Sequence, residues 1–137
     1  MIKIIDPKDG EIIMDPACGT GGFLVESYGY QYNGKQSETN SYYIGIDKDK
    51  DMSDLSMAVT EIITSGKSKV YNQNSLEILC EGCKNHDLLG TIDVILTNPP
   101  FGSKIGVTDK TILEKYEFGH ASVSYTHLRA HETVLDL

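Results

Sequence analysis

The stretch Asp15-Pro16-Ala17-Cys18-Gly19-Thr20-Gly21-Gly22-Phe23 follows directly on the short run Glu11-Ile12-Ile13-Met14. The run reads as a buried strand. Three glycines in the four positions 19–22 then describe a backbone that turns sharply and lets something come close. From Gly22 the placement of Phe23, Leu24, Val25 and Tyr28 suits a helix that opens on the loop and ends near Asn33-Gly34. Strand, glycine loop and helix form the first βα unit, and the rest of the chain repeats the alternation. Tyr42 to Ile46 is a second strand closing at Asp47, and Lys69-Val70-Tyr71 a short third. Between them Leu55, Ala58, Val59, Ile62 and Ile63 follow helical spacing and stop before Ser65-Gly66. Leu76 to Leu89 is a looser helical link. Ile92 to Leu96 is a fourth strand, cut off by Asn98-Pro99-Pro100 because neither proline can donate to a ladder.

Such alternation predicts an α/β fold with a doubly wound, mostly parallel sheet and helices on both faces. Ligands in these sheets bind outside the carboxyl ends of the strands. The glycine loop, Asp47, Asn74 and Asn98-Pro99-Pro100 all fall just after predicted strands, so they converge on one edge.

Composition sets the outer limits. The chain has 137 residues, 39% hydrophobic and 23% charged, which suits one globular core. No run approaches the roughly 18 apolar residues of a membrane span, and Met1 to Asp6 lacks the apolar core of a signal peptide. Three irregularly spaced cysteines argue for a reducing compartment, by default the cytoplasm. The net charge of −8 gives no bulk attraction for a phosphate backbone. Any DNA in the function must be held largely by another domain or subunit.

The glycine loop fits neither common phosphate cradle. A dinucleotide loop needs G-x-G-x-x-G, and Leu24 occupies the third glycine position. A P-loop needs a Lys after its glycines, and there is none. The remaining reading is a ligand that ends in a charged amino acid. Gly19 and Gly21 let the backbone approach it, Asp15 can face an ammonium, Asp47 can accept from both hydroxyls of a ribose, and Asn74 can meet an adenine edge. Amino acid, ribose and adenine together describe S-adenosylmethionine.

Thr97-Asn98-Pro99-Pro100-Phe101-Gly102 is the second signal. An exocyclic amine on a base is a poor nucleophile because its lone pair is delocalised into the ring. The Asn98 side-chain oxygen and a proline carbonyl can hold both amino hydrogens and favour a pyramidal nitrogen. Phe101 can stack on a base turned out of its duplex, worth roughly 1–3 kcal/mol. Attack on an activated methyl then needs positioning above all.

At these residues the chain resembles a family. Asp15 to Leu24 and Asp93 to Gly102 are similar to the cofactor and catalytic loops of N6-adenine DNA methyltransferases, above all the modification subunit of type I restriction systems. Ile112 to His120 resembles the continuation in that subfamily, so the likeness runs from about Asp6 to His120. The resemblance implies a Rossmann-like S-adenosylmethionine-dependent fold and cofactor contacts at Asp15, Ala17, Gly19 and Gly21. It further implies a ribose contact at Asp47, catalytic roles for Asn98, Pro99, Pro100 and Phe101, and partners in DNA and in specificity and restriction subunits. At Asn74 the family more often carries Asp. A methyltransferase acting on a protein glutamine, or a fragment that binds cofactor or a partner without turnover, are the alternatives.

The same resemblance implies parts not seen here: a helical N-terminal domain, a segment closing over the cofactor, and three further strands. The expectation is therefore a fragment, residues 1–120 forming a partial catalytic domain with strands ordered 3-2-1-4. Residues 121–137 are expected to be a tail of separate origin, since the only Arg and three of four His fall within residues 120–137. Cys80-x-x-Cys83, His86 and His127-x-x-x-His131 have zinc-donor chemistry, but 43 residues separate the outer pairs, and no metal is assigned. On its own the chain should transfer few or no labelled methyl groups to DNA; robust incorporation by the purified chain would refute the fragment reading.

Overall fold

The computed structural model describes residues 1–32, 39–78, 90–99 and 110–115. The chain divides into two units, Met1–Pro99 and Pro100–Leu137. The first holds α1 (Ile2–Ile5), β1 (Ile12–Asp15), α2 (Gly22–Tyr32), β2 (Tyr42–Asp47), α3 (Lys50–Ile63), β3 (Ser68–Asn72), α4 (Ser75–Ile78) and β4 (Val94–Ile95). In the second, the described element is the single turn α5 (Lys110–Leu113).

Four parallel strands are ordered β3-β2-β1-β4. The chain runs from β1 outward through β2 to β3, then returns to the other side of β1. The direction of winding thus reverses between β1 and β4, and the crevice outside that pair is where such sheets take ligands. β4 is shorter than the expected Ile92 to Leu96, although its ladder continues through Asp93 N to Ile12 O at 3.0 Å and Leu96 N to Met14 O at 2.9 Å. Asp93 also accepts from Ile12 N at 2.8 Å, which anchors the strand's entry.

Strand alternation splits the core. Ile13, Tyr43, Val70 and Leu96 pack with Ile2, Cys18 and Leu24 in one cluster, while Met14, Ile44 and Ile46 form another beside Ile12, Tyr71 and Ile92. Gly45 explains how Leu24 fits where a dinucleotide fold needs glycine. A Cβ at Gly45 would lie 3.1 Å from Leu24 Cδ1 and 3.0 Å from Cys18 Sγ. The missing side chain is on the strand, so the helix can keep its leucine.

The short α1 has no counterpart in the sequence reading. It buries Ile2 and ends at Asp6 in the left-handed region, φ 52°. Below the strands' entry ends, Gln31 donates to Lys8 O at 2.6 Å and accepts the Tyr43 hydroxyl, which is also 3.2 Å from Thr39 Oγ1. This buried network ties the α1–β1 link to α2 and β2.

Helix α3 reverses the usual polarity of a helix packed on a sheet. Its periodic apolar residues would ordinarily face the sheet. Instead Leu55 is 47% and Ile62 79% exposed, with Ala58 exposed, Ile63 borderline and Val59 half-buried. The side turned inward carries Ser53, Ser56, Thr60 and Thr64, each fully buried. These hydroxyls need no water. Ser53 donates to Lys50 O, Thr60 to Ser56 O and Thr64 to Thr60 O, and Ser68 of β3 reaches Thr60 Oγ1 at 3.1 Å. Small side chains let α3 lie close to the glycine loop: a Cβ at Gly21, φ 86°, would meet Ser56 Oγ at 2.7 Å and Thr60 Cγ2 at 3.0 Å.

The reversal predicts an inverted substitution pattern. Ile62→Lys should change stability by no more than about 0.5 kcal/mol, whereas Thr60→Leu should cost about 1–3 kcal/mol by overpacking. Urea unfolding of the two variants measures the difference.

Candidate active site

Asp47 closes β2 and holds the glycine loop in place. Its Oδ2 accepts Gly19 N at 2.8 Å and its Oδ1 accepts Asp49 N at 2.9 Å. The loop is tied to β2 again by Cys18 N donating to Ile46 O at 3.0 Å. Asp47 O accepts Gln73 N at 3.0 Å and the Asn72 carboxamide at 3.2 Å, which brings in the exit of β3. Asp47 is only half-buried, and a carboxylate offers about four lone-pair directions, so two hydroxyls can still be accommodated.

Asp15 closes β1 and is 2% exposed. Its Oδ1 accepts Ala17 N at 3.0 Å, the bond that starts the loop. Burial pushes its carboxyl above the ordinary range; the Ala17 amide and the Thr97 hydroxyl oppose this, and the Asp47 charge adds to it. None of these influences is a positive charge. Thr97 Oγ1 is buried and has no hydrogen-bond partner within bonding distance among the described residues. Leu96 N bonds Met14 O, so Thr97 and Asn98 leave β4 directly beside Asp15.

Several expected residues thus meet. Ala17 bonds Asp15 and Gly19 bonds Asp47 within one loop, with Asn98 and Pro99 exposed at the neighbouring strand end. Pro100 and Phe101 lie outside the described residues, as do all the zinc-donor candidates and residues 121–137. Two positions carry a structural role as well. The missing side chain of Gly21 makes room for α3, so its backbone is what can meet a ligand; Gly19, φ 51°, has nothing within 4 Å of a would-be Cβ. Asn74 is occupied as the cap of α4, where Oδ1 accepts Leu76 N and Nδ2 donates to Glu77 Oε1, both at 3.1 Å. Thr97 was missed, because an orphaned hydroxyl is visible only once β4 lies beside β1.

Cys18 is 5% exposed, and burial pushes its thiol up to about 11. It is a packing group, 3.6 Å from Ser56 Oγ, rather than a nucleophile.

The family described as N-6 DNA Methylase matches residues 1–130. The chain belongs to that family. It is 33% identical over 111 residues to the EcoEI methylase subunit of a type I restriction enzyme from Escherichia coli, a match covering 74% of this chain and 21% of that one. The StySPI methylase subunit from Salmonella potsdam is 30% identical over 123 residues, 77% of this chain and 22% of that one. Among solved structures, a modification subunit assigned to a type I restriction enzyme from Vibrio vulnificus YJ016 superposes with a TM-score of 0.66 at 31% identity, over 85% of this chain and 24% of that one. The chain therefore spans about a fifth of the length of these curated relatives. Among the described residues no helix is long and apolar enough to cross a membrane.

Raised in the folded chain, the Asp15 pKa makes its contribution to stability full below the unfolded value and lost as pH rises through the folded one. Asp15→Asn keeps the acceptor for Ala17 N and removes the buried charge. The ligand-free variant should match or exceed the parent chain in stability at pH 7–8, with the parent gaining on it as pH falls toward 4. Thermal melts across that range measure this. Cys18, at pH 8, should react with a thiol reagent far more slowly in the folded chain than after unfolding in urea.

Proposed function

We propose that this chain carries the cofactor half and the opening of the catalytic loop of a methyltransferase that moves a methyl group from S-adenosylmethionine to N6 of adenine in DNA, within a restriction-modification system. One observation carries the reading: the exit of β4, Thr97-Asn98-Pro99, stands beside a buried carboxylate at the point where the sheet reverses its winding.

The residues fit this cofactor. Asp15 is a buried carboxyl with no positive charge acting on it among the described residues, Gly19 leaves open space, and Thr97 has a hydroxyl without a bond there. Asp15 would take the ammonium and Asp47 the ribose hydroxyls. Ala17 and Gly19 line the approach as backbone, and Gly21 contributes by seating the loop on α3. Asn74 reaches an adenine edge only through the second lone pair of Oδ1. Once bound, S-adenosylmethionine supplies a methyl group activated by a sulfonium.

The Asn98 side-chain oxygen and the carbonyl of Pro99 or Pro100 accept the two hydrogens of the target amine, which localises the nitrogen lone pair for attack. Pro-Pro restrains the direction of that carbonyl at little entropic cost. Phe101 stacks on the extruded base. The net charge of −8 leaves DNA binding to other elements, which we assign to a specificity subunit acting with a restriction subunit. The compartment is the cytoplasm.

Two measurements test the proposal: equilibrium binding of S-adenosylmethionine, and mass-spectrometric detection of N6-methyladenine after prolonged incubation with duplex DNA. Asp47→Ala should weaken binding roughly tenfold or more, from the loss of charge-assisted hydrogen bonds. Asn98→Ala should leave binding intact and abolish even trace methylation. Absence of cofactor binding, or methyl transfer to protein in an extract but not to DNA, would overturn the proposal.

A further inference from the structure

Thr97 Oγ1 closes no hydrogen bond among the described residues, although its hydroxyl already bears on the Asp15 carboxyl. Its Oγ1 is buried and unpartnered among the described residues, at a position where β4 runs parallel to β1 and delivers it next to Asp15. A buried hydroxyl without a partner costs about 1–3 kcal/mol, so a β-branched apolar residue of the same shape would be the more stable choice if packing were its only role. Ser27 Oγ shares this orphaned state, but it lies on α2 away from the strand ends. Thr97 is set apart by its neighbours, a carboxylate on one side and Asn98 in the next position.

We propose that Thr97 is a positioning residue that links the carboxylate of the cofactor site to the catalytic loop: with a cationic ligand in place, its hydroxyl donates to Asp15, and this fixes the backbone from which Asn98 departs. The inference rests on the cofactor reading above and adds a residue to it. The physical chain is short. In the ligand-free chain Asp15 is disfavoured as an anion by burial and by the nearby Asp47, and the Thr97 hydroxyl opposes this without closing a full hydrogen bond. A nearby ligand cation favours the ionised form of Asp15 and so strengthens it as an acceptor. The Thr97 hydroxyl then settles on one rotamer. A β-branched side chain has few rotamers to choose from, so locking χ1 also restrains its own backbone and the peptide leading into Asn98. Cofactor occupancy is thereby communicated to the group that holds the target amine, through one hydrogen bond and one peptide unit.

The test uses the full 137-residue chain with Thr97→Val, which keeps the shape, and Thr97→Ser, which keeps the hydroxyl. Thermal melts identify any variant that does not fold; should Val fail, Thr97→Ala takes its place. The first readout is the Asp15 carboxyl titration, followed by carbon NMR in the ligand-free chain. Removal of the hydroxyl should raise that pKa further, and Ser should return it to the parent value. The second is affinity for S-adenosylmethionine, which should fall about tenfold in Val and recover in Ser. The third is the Asn98 side-chain amide resonance, which should shift on saturation with S-adenosylmethionine in the parent and Ser chains and not in Val. An unchanged Asp15 titration in the hydroxyl-free variant overturns the proposal, as does an Asn98 shift that survives in Val at saturation. If the parent chain binds no S-adenosylmethionine, the cofactor reading and the proposed relay fall together. An Asp15 titration that still responds to Thr97 would then show that the contact itself exists.

Discussion

The carboxylate of Asp47 is the joint on which the strand-exit edge depends. Two backbone amides, from the glycine loop and from the turn into α3, meet on its two oxygens, while its own carbonyl receives the exit of β3. Three segments distant in sequence are held by one residue at the end of a central strand. A backbone amide bonded to an ionised carboxylate makes a stronger bond than one bonded to a neutral acceptor. The loop therefore has a defined conformation before any ligand arrives. The same carboxylate adds to the repulsion that Asp15 experiences, so the charge that shapes the loop also readies the cleft for a cation.

This arrangement exchanges stability for function at one buried point. Among the described residues Asp15 sits almost wholly out of water with no positive neighbour acting on it, and Thr97 keeps a hydroxyl without a bond. Other buried side-chain polar groups among the described residues are hydrogen-bonded, Ser27 Oγ on α2 excepted. The hydroxyls of α3 return to their own helix carbonyls, and Gln31, Tyr43, Thr39 and Lys8 share one network. Among the described residues the orphaned buried hydroxyls are Ser27, on α2, and Thr97, which leaves β4 beside Asp15 where the sheet reverses direction.

The apolar stripe on α3 shows why periodicity alone does not fix which face is buried. Two periodic patterns share that helix, one of large aliphatic residues and one of Ser and Thr. Which faces inward depends on how near the glycine loop comes. With Gly21 pressed against Ser56 and Thr60, a larger residue at either position would displace the loop. The tertiary contact selects the small face. The large residues are left on the other side, partly or largely exposed.

Much of the framework was legible from local pattern. The strand-like runs, the helix opening at Gly22, the prolines ending β4 and the order 3-2-1-4 all follow from alternation and breaker residues, since backbone geometry limits the ways βα units can be joined. The acidic residues at the strand ends were legible for the same reason. What a residue touches across strands or layers could be decided only by the tertiary structure. Gly21 seats the loop on α3, Gly45 makes the space that Leu24 fills, Asn74 caps a helix, and Thr97 faces Asp15. Each of these depends on distances between segments far apart in the chain, to which the periodicity of a single segment is blind.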